Sequence, residues 1–298
     1  MTDEEKTDWI MEVWGPAHRI ELTTKDARNM DIFEWLEDHI KIINDITTIL
    51  NIGKGLEQSI EAAREVGEKL YILKTLSDTR FSAYFETSIE NFEKRIETTI
   101  TALKKRAESN NKEVREKASI LLKKVCNKQF LLLNLGLLDI YRLLGSISCQ
   151  LQKVEQFPWD IPKTQTKLLE TLKNIEKLKL SNNDEIDSIE EIDKHMWPNL
   201  GEKLYTVLNE EYISVQTSLA VGRRMGRSSA DISPSISILT TVESHLTSLC
   251  KHLGKQLSNR LTENPTPSLI TTLGKCFDLE DILVNLEDDK VTDEMKKM

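Results

Sequence analysis

The side chains able to do chemistry are scattered along the chain, and their spacing decides what they can do together. His245, Cys250 and His252 are a close grouping of metal-ligand types. On a helix, positions 245, 249 and 252 share a face while Cys250 points away, so the three donors do not converge as zinc requires. The four cysteines, Cys126, Cys149, Cys250 and Cys276, lie far apart without a C-x-x-C pair, the pattern of reduced, buried thiols. Asp187, Glu190 and Glu191 stand together, but nothing apolar surrounds them to drive their pKa values apart, so they read as solvated surface and not as an acid–base pair. No Gly-rich phosphate loop precedes a helix and no G-x-S-x-G turn occurs. No catalytic residue, metal site, cofactor or small-molecule substrate is expected from these residues.

Two basic clusters could meet phosphate. Arg223, Arg224 and Arg227 fall in a glycine-containing loop, where planar guanidinium groups can reach a nucleic-acid backbone and donate in pairs. In a chain of net charge −9, such a loop is also what ordinary surface looks like. Lys104, Lys105 and Arg106 lie on a helix near Glu97 and Glu108, which partly neutralise them and make this cluster a solvated face.

These groups must be positioned by helices, because apolar residues recur at three and four almost throughout. Ile32, Phe33, Leu36, Ile40, Ile43, Ile46 and Leu50 build one stripe. Asn51 to Gly55 breaks it, and a second helix is predicted through Leu56, Ile60, Ala63, Val66, Leu70 and Leu73. Ser77, Asp78 and Thr79 offer caps before the next. Phe85, Ile89, Phe92, Ile96, Ile100 and Leu103 predict one helix of about five turns. Phe130 to Leu144 is apolar around most of its circumference, which suits the centre of a bundle. Pro158 and Pro162 interrupt the pattern before a helix from Lys163 to Leu180. Further helices are predicted over Leu200 to Val221, Ile236 to Leu261 and Pro267 to Leu286. The expectation is an all-α, multi-helix bundle of long antiparallel helices. Residues 1–180 form an N-terminal region, 181–194 an exposed connection, 195–287 a C-terminal region packing on the first, and 288–298 a charged tail. The acidic start lacks a secretory pattern and no run approaches about 18 consecutive apolar residues, so a soluble, intracellular chain with no membrane contact is expected.

Two segments carry a family resemblance. Gly15-Pro16-Ala17-His18-Arg19-Ile20-Glu21-Leu22-Thr23-Thr24-Lys25-Asp26-Ala27 resembles the C-x-x-H and R-L-E-L-A-x-K-D-A motif of hAT-superfamily transposases. His18 and Arg19 match it, and Gly15 stands at the cysteine. Ser77-Asp78-Thr79-Arg80-Phe81-Ser82 is similar to the family's D-T-R-W-x-S motif, with phenylalanine for tryptophan. Gly136-Leu137-Leu138-Asp139-Ile140-Tyr141 and Cys276-Phe277-Asp278-Leu279 echo later family segments, so the matches are collinear over about residues 9–286. The resemblance implies the helical insertion region of a ribonuclease-H-like transposase domain, with Arg80 and Phe81 near a transposon end, where an aromatic face can stack on a displaced base. Taken by itself, His18 reads as a hydrogen-bonding group across the end of the first helix in preference to a catalytic one.

The same resemblance bears on enzymology. The family's two aspartates and one glutamate hold the metal ions for DNA cleavage, on segments that flank the insertion. Fourteen residues precede Gly15 and twelve follow Leu286, so a non-catalytic protein is expected. Its implied partner is DNA, through Arg80, Phe81, Arg223, Arg224 and Arg227, with a nuclear location following from the family. The alternative is an interaction scaffold or dimerisation module that binds other helical proteins or a second copy.

Overall fold

The apolar run at the middle of the sequence becomes the axis of the structure, a computed structural model that describes residues 16–75, 82–152, 160–180, 195–208 and 233–262. The described residues form an all-α, multi-helix bundle with no strand. In chain order the helices are α1 (Pro16–Arg28), α2 (Glu34–Leu50), α3 (Lys54–Val66), α4 (Ser82–Lys94), α5 (Ile96–Ala107), α6 (Lys112–Val125), α7 (Lys128–Leu151), α8 (Asp160–Ile175), α9 (Pro198–Leu208) and α10 (Ser233–Thr262). Every residue of α7 from Phe130 to Tyr141 is buried, with α1, α4, α9 and α10 packed around it. By length and composition α7 is apolar enough to cross a membrane, and 83% of that stretch is buried within the bundle. Gly136 permits the close approach of α10: a Cβ there would stand 2.3 Å from Leu246 Cδ1. Helices on both sides of residues 181–194 share one apolar core, which includes Leu138, Leu172, Leu204 and Leu246.

Local chemistry moves several predicted boundaries. Ile32 lies in a 3-10 turn, Asp31–Phe33, and is 67% exposed, so it does not belong to the stripe that Phe33 begins. Gly55 sits inside the first turn of α3, where a Cβ would come within 2.0 Å of Ile49 O. The second predicted helix stops early. Gly67, at φ 78°, takes the left-handed conformation that ends helices, and Gly67 N and Glu68 N both donate to Ala63 O. Leu70 and Leu73 therefore lie in a strap, residues 68–75, outside any helix. Asn51 Nδ2 holds this strap by donating to Leu73 O at 2.6 Å.

The stripe from Phe85 to Leu103 is wholly buried, yet it spans two helices and not one. Arg95, at φ −124° and ψ 26°, breaks the chain between α4 and α5. Conversely, α8 starts at Asp160, earlier than expected, and ends at Ile175. Pro162 fits there because the first turn of a helix has no intrahelical partners for its N–H groups. The most apolar segment divides at Asn127, whose side chain accepts from Gln129 N at 2.8 Å and caps α7. Of the cysteines, Cys126 and Cys250 are buried but Cys149 is exposed, a departure from the expected burial of all four. Cys276 lies outside the described residues.

Candidate functional site

The motif at the start of α1 divides between surface and core. His18 is 47% exposed by side chain, with Nδ1 3.8 Å from Glu21 Oε2 one turn on. Arg19 is buried, and its Nη1 donates to Arg260 O at 2.5 Å. The Arg260 guanidinium returns the contact by pairing with Asp26. Arg19 and Asp26 thus clasp the last turn of α10, where a cation meets the carbonyl end of the helix. Asp78, Thr79, Arg80, Phe81, Arg223, Arg224 and Arg227 lie outside the described residues.

His245 and His252 share a face, as the helical spacing predicts, and meet aromatic rings. His245 stacks on Trp35 at 4.7 Å and His252 packs edge-on against Phe33 at 5.3 Å. Cys250 is buried on another side, where burial first and the Glu176 carboxylate second push its thiol pKa up. No three ligand-type side chains converge among the described residues.

Sequence reasoning missed the buried polar groups that tie the helices together. Asp139, in the middle of α7, reaches the start of α9: Oδ1 accepts from Asn199 N at 3.0 Å and from Asn199 Nδ2 at 2.5 Å, and Oδ2 from Leu200 N at 2.9 Å. One α7 carboxylate therefore caps α9 in place of a local side chain. Arg142, one turn on, donates to Asn199 Oδ1 at 3.1 Å and to Glu90 Oε1 at 2.7 Å, binding α4 to the same junction. The visible signal was an aspartate inside an apolar run, since a buried carboxylate must find donors.

His39 is likewise buried, stacked on Phe130 at 4.2 Å, with Nε2 3.2 Å from Asn134 Oδ1. Because Oδ1 can only accept, the Nε2–H donates. Burial, against the smaller pull of that hydrogen bond, brings the His39 pKa down from 6.5 to about 4. An unfolded chain takes up the proton near pH 6.5 and the folded one only near pH 4, so stability is full above the first value and falls as pH drops towards the second. The gap is worth about 3 kcal/mol. Urea unfolding at about pH 7 and about pH 4.5 should show His39→Gln losing less stability than the parent by most of that amount; equal losses contradict the buried neutral imidazole.

Asn134 also lines a small pocket with Glu93, Ile96, Leu131, Leu135, Lys203 and Val207, of about 20 Å³. That is room for one water and not for a substrate. Lys203 and Glu93 form an ion pair at its wall.

A concentration of positive charge among the described residues lies on the outside. Lys104, Lys105, Arg106, Lys112, Arg115, Lys117, Lys123, Lys124 and Lys128 fall within residues 104–128 against Glu108, Glu113 and Glu116, a surplus of six positive charges in a chain of net −9. These residues lie on the end of α5, in the turn after it, on α6 and, for Lys128, at the start of α7, and α5 and α6 pack together as a hairpin. Lys105 is answered by Glu61 at 3.1 Å and Glu65 at 2.6 Å, both on α3, and not by the expected Glu97 and Glu108. Lys117 pairs with Asp45 at 2.7 Å, and Lys112 lies 3.9 Å from Glu116. Arg115, Lys123 and Lys124 are exposed on α6 with no ion-pair partner among the described residues. Ile120, 56% exposed, lies on the same outer face. Burial of Ala118, Leu121, Leu122 and Val125 fixes the opposite side of α6 in the core, so the cations must face outward.

The chain matches no family model, no curated protein and no solved structure. A functional reading rests on this distribution of charge and on the motif residues.

Proposed function

We propose that the chain is a non-catalytic helical module, derived from the insertion region of a hAT-type transposase, that binds nucleic acid along the basic side of the α5–α6 hairpin. The observation that carries this reading is the concentration of cations on the solvent side of the α5–α6 hairpin in an otherwise acidic molecule, with Arg115, Lys123 and Lys124 lacking an ion-pair partner among the described residues. Phosphate affinity comes from local Lys and Arg and the counterions they release, so a negative total does not oppose it. The acidic remainder favours one orientation of approach. From Lys112 to Lys124 the face runs about 18 Å, the length of roughly five phosphates of one strand.

The motif resemblance supports the same partner and adds Arg80 and Phe81 as further contacts, and the basic loop of Arg223, Arg224 and Arg227 adds three more. A gel shift with the full chain tests the reading. A shift that is strong at low salt, lost at high salt and weakened by Arg223→Ala plus Arg224→Ala is expected. A chain that shifts no nucleic acid at low salt sinks it.

One feature favours a second reading, an interaction scaffold or dimerisation module. Ile52 and Ile72 are 69% and 64% exposed, on segments joined by the Asn51 to Leu73 hydrogen bond. Sedimentation separates the two readings: a concentration-dependent dimer without nucleic-acid affinity supports the scaffold.

A further inference from the structure

Aromatic rings in this fold meet one another or the core. Phe33, Trp35, Phe85, Phe92, Phe130 and Tyr141 each lie against another ring, and Trp197 is buried. Tyr205, on α9, departs from this pattern. It is 54% exposed and forms no ring contact or hydrogen bond among the described residues. An exposed tyrosine taken alone is ordinary surface, so the argument for a role rests on where the ring stands.

Leu208 ends α9, and its carbonyl oxygen accepts from Lys128 Nζ at 2.8 Å. Lys128 opens α7 directly after the Cys126–Asn127 turn that follows α6. This bond sets the last turn of α9 beside the Lys123 and Lys124 end of the basic face. Tyr205 stands one helical turn, about 5 Å, before Leu208. Between Lys104 and Lys128 there is no Phe, Tyr, Trp or His, so the face itself offers cations and no π surface. The open ring beside it comes from a different helix. A run of cations that ends at an exposed aromatic is the arrangement that single strands use. The cations track phosphates, and the ring takes the flat side of an unpaired base, which a duplex keeps stacked within its own helix.

We infer that Tyr205 is a base-stacking platform at the Lys124 end of the α6 face, and that the partner of this face is a single-stranded nucleic acid whose phosphates run along α6 and whose base lies on the Tyr205 ring. The inference rests on the nucleic-acid reading of α6 and adds the class of strand and a contact from α9. Phosphate and base are common to DNA and RNA, and both chemistries of strand enter the test.

The test is fluorescence anisotropy of the full chain at low salt with labelled probes of equal length: an oligothymidine strand, the same backbone carrying abasic residues, and a duplex. The thymidine strand should bind roughly tenfold more tightly than the abasic one, and Tyr205→Ala should remove that difference. Tyr205→Phe, which keeps the ring, should bind within about twofold of the parent. Duplex affinity should not respond to Tyr205→Ala. An oligouridine strand titrated in parallel should show the same dependence on Tyr205, and the tighter of the two strands identifies the sugar. By NMR the Tyr205 ring resonances, assigned by their absence from Tyr205→Ala, should move upfield with the thymidine strand and not with the abasic one. Equal affinity for the thymidine and abasic strands, or a Tyr205→Ala chain that binds as the parent does, overturns the platform and leaves α6 as a phosphate-binding face. Failure of every probe to bind overturns the α6 reading and this inference with it. Tyr205 is largely exposed, so its variants should keep the parent's thermal unfolding midpoint.

Discussion

Asp139→Ala should destabilise the chain by about 4 kcal/mol, the loss expected when several donors at a buried junction lose their one shared acceptor. The carboxylate accepts from Asn199 N, Asn199 Nδ2 and Leu200 N, and a methyl group replaces none of these bonds. The first turn of α9 then keeps buried N–H groups without acceptors, each costing about 1–3 kcal/mol. Arg142, which reaches the same junction through Asn199, loses its anchor on that side. Asp139→Asn should fall between, since its oxygen still accepts while its amide turns a donor towards another donor. Urea unfolding with an unchanged slope and a lowered midpoint is the measurement. A loss below about 1 kcal/mol would show that α9 is held by its apolar side, Leu200, Leu204 and Val207, without the cap.

The second large effect falls on binding. Lys123→Glu plus Lys124→Glu reverses two exposed charges in the last turns of α6, and should weaken nucleic-acid affinity on the order of a hundredfold at low salt. Fold stability should change far less, because neither side chain is buried. Cations do favour the carbonyl end of a helix, by about 0.3–1 kcal/mol. Lys123→Gln plus Lys124→Gln serves as the control, removing charge without adding repulsion. Affinity should drop in the order parent, Gln pair, Glu pair. Equal affinity in all three would leave α6 as a solvated face.

Sequence pattern reveals elements whose packing is local and misses ties that depend on distant partners. Phe130 to Leu144 announces a central helix because no face of it is polar, and Phe130 to Tyr141 is indeed buried throughout. The stripe from Phe85 to Leu103 shows which residues enter the core but hides the break at Arg95, since the apolar period continues across it. Leu70 and Leu73 keep helical spacing, yet Gly67 ends α3 and the strap is held by Asn51 and Arg95 from other elements. Lys105 looks neutralised by Glu97 and Glu108 along its own helix, while the packing of α3 brings Glu61 and Glu65 instead. The basic face escapes a reading that weighs Lys104 to Arg106 alone, because Arg115, Lys123 and Lys124 join it only when α6 folds against α5.

The most direct test of the nucleic-acid reading is the salt dependence of binding, followed by fluorescence anisotropy of a labelled oligonucleotide across a range of sodium chloride. Five cations are exposed on α6; with Lys117 paired to Asp45, four are left to meet phosphate, Lys112, Arg115, Lys123 and Lys124. If each neutralises a phosphate, log K should fall linearly with log salt at a slope of about −3 to −4, and the Lys123→Glu, Lys124→Glu pair should bring it to about −2 or shallower. A slope that the pair leaves untouched, or the absence of binding at the lowest salt, would contradict a nucleic-acid interface on this face.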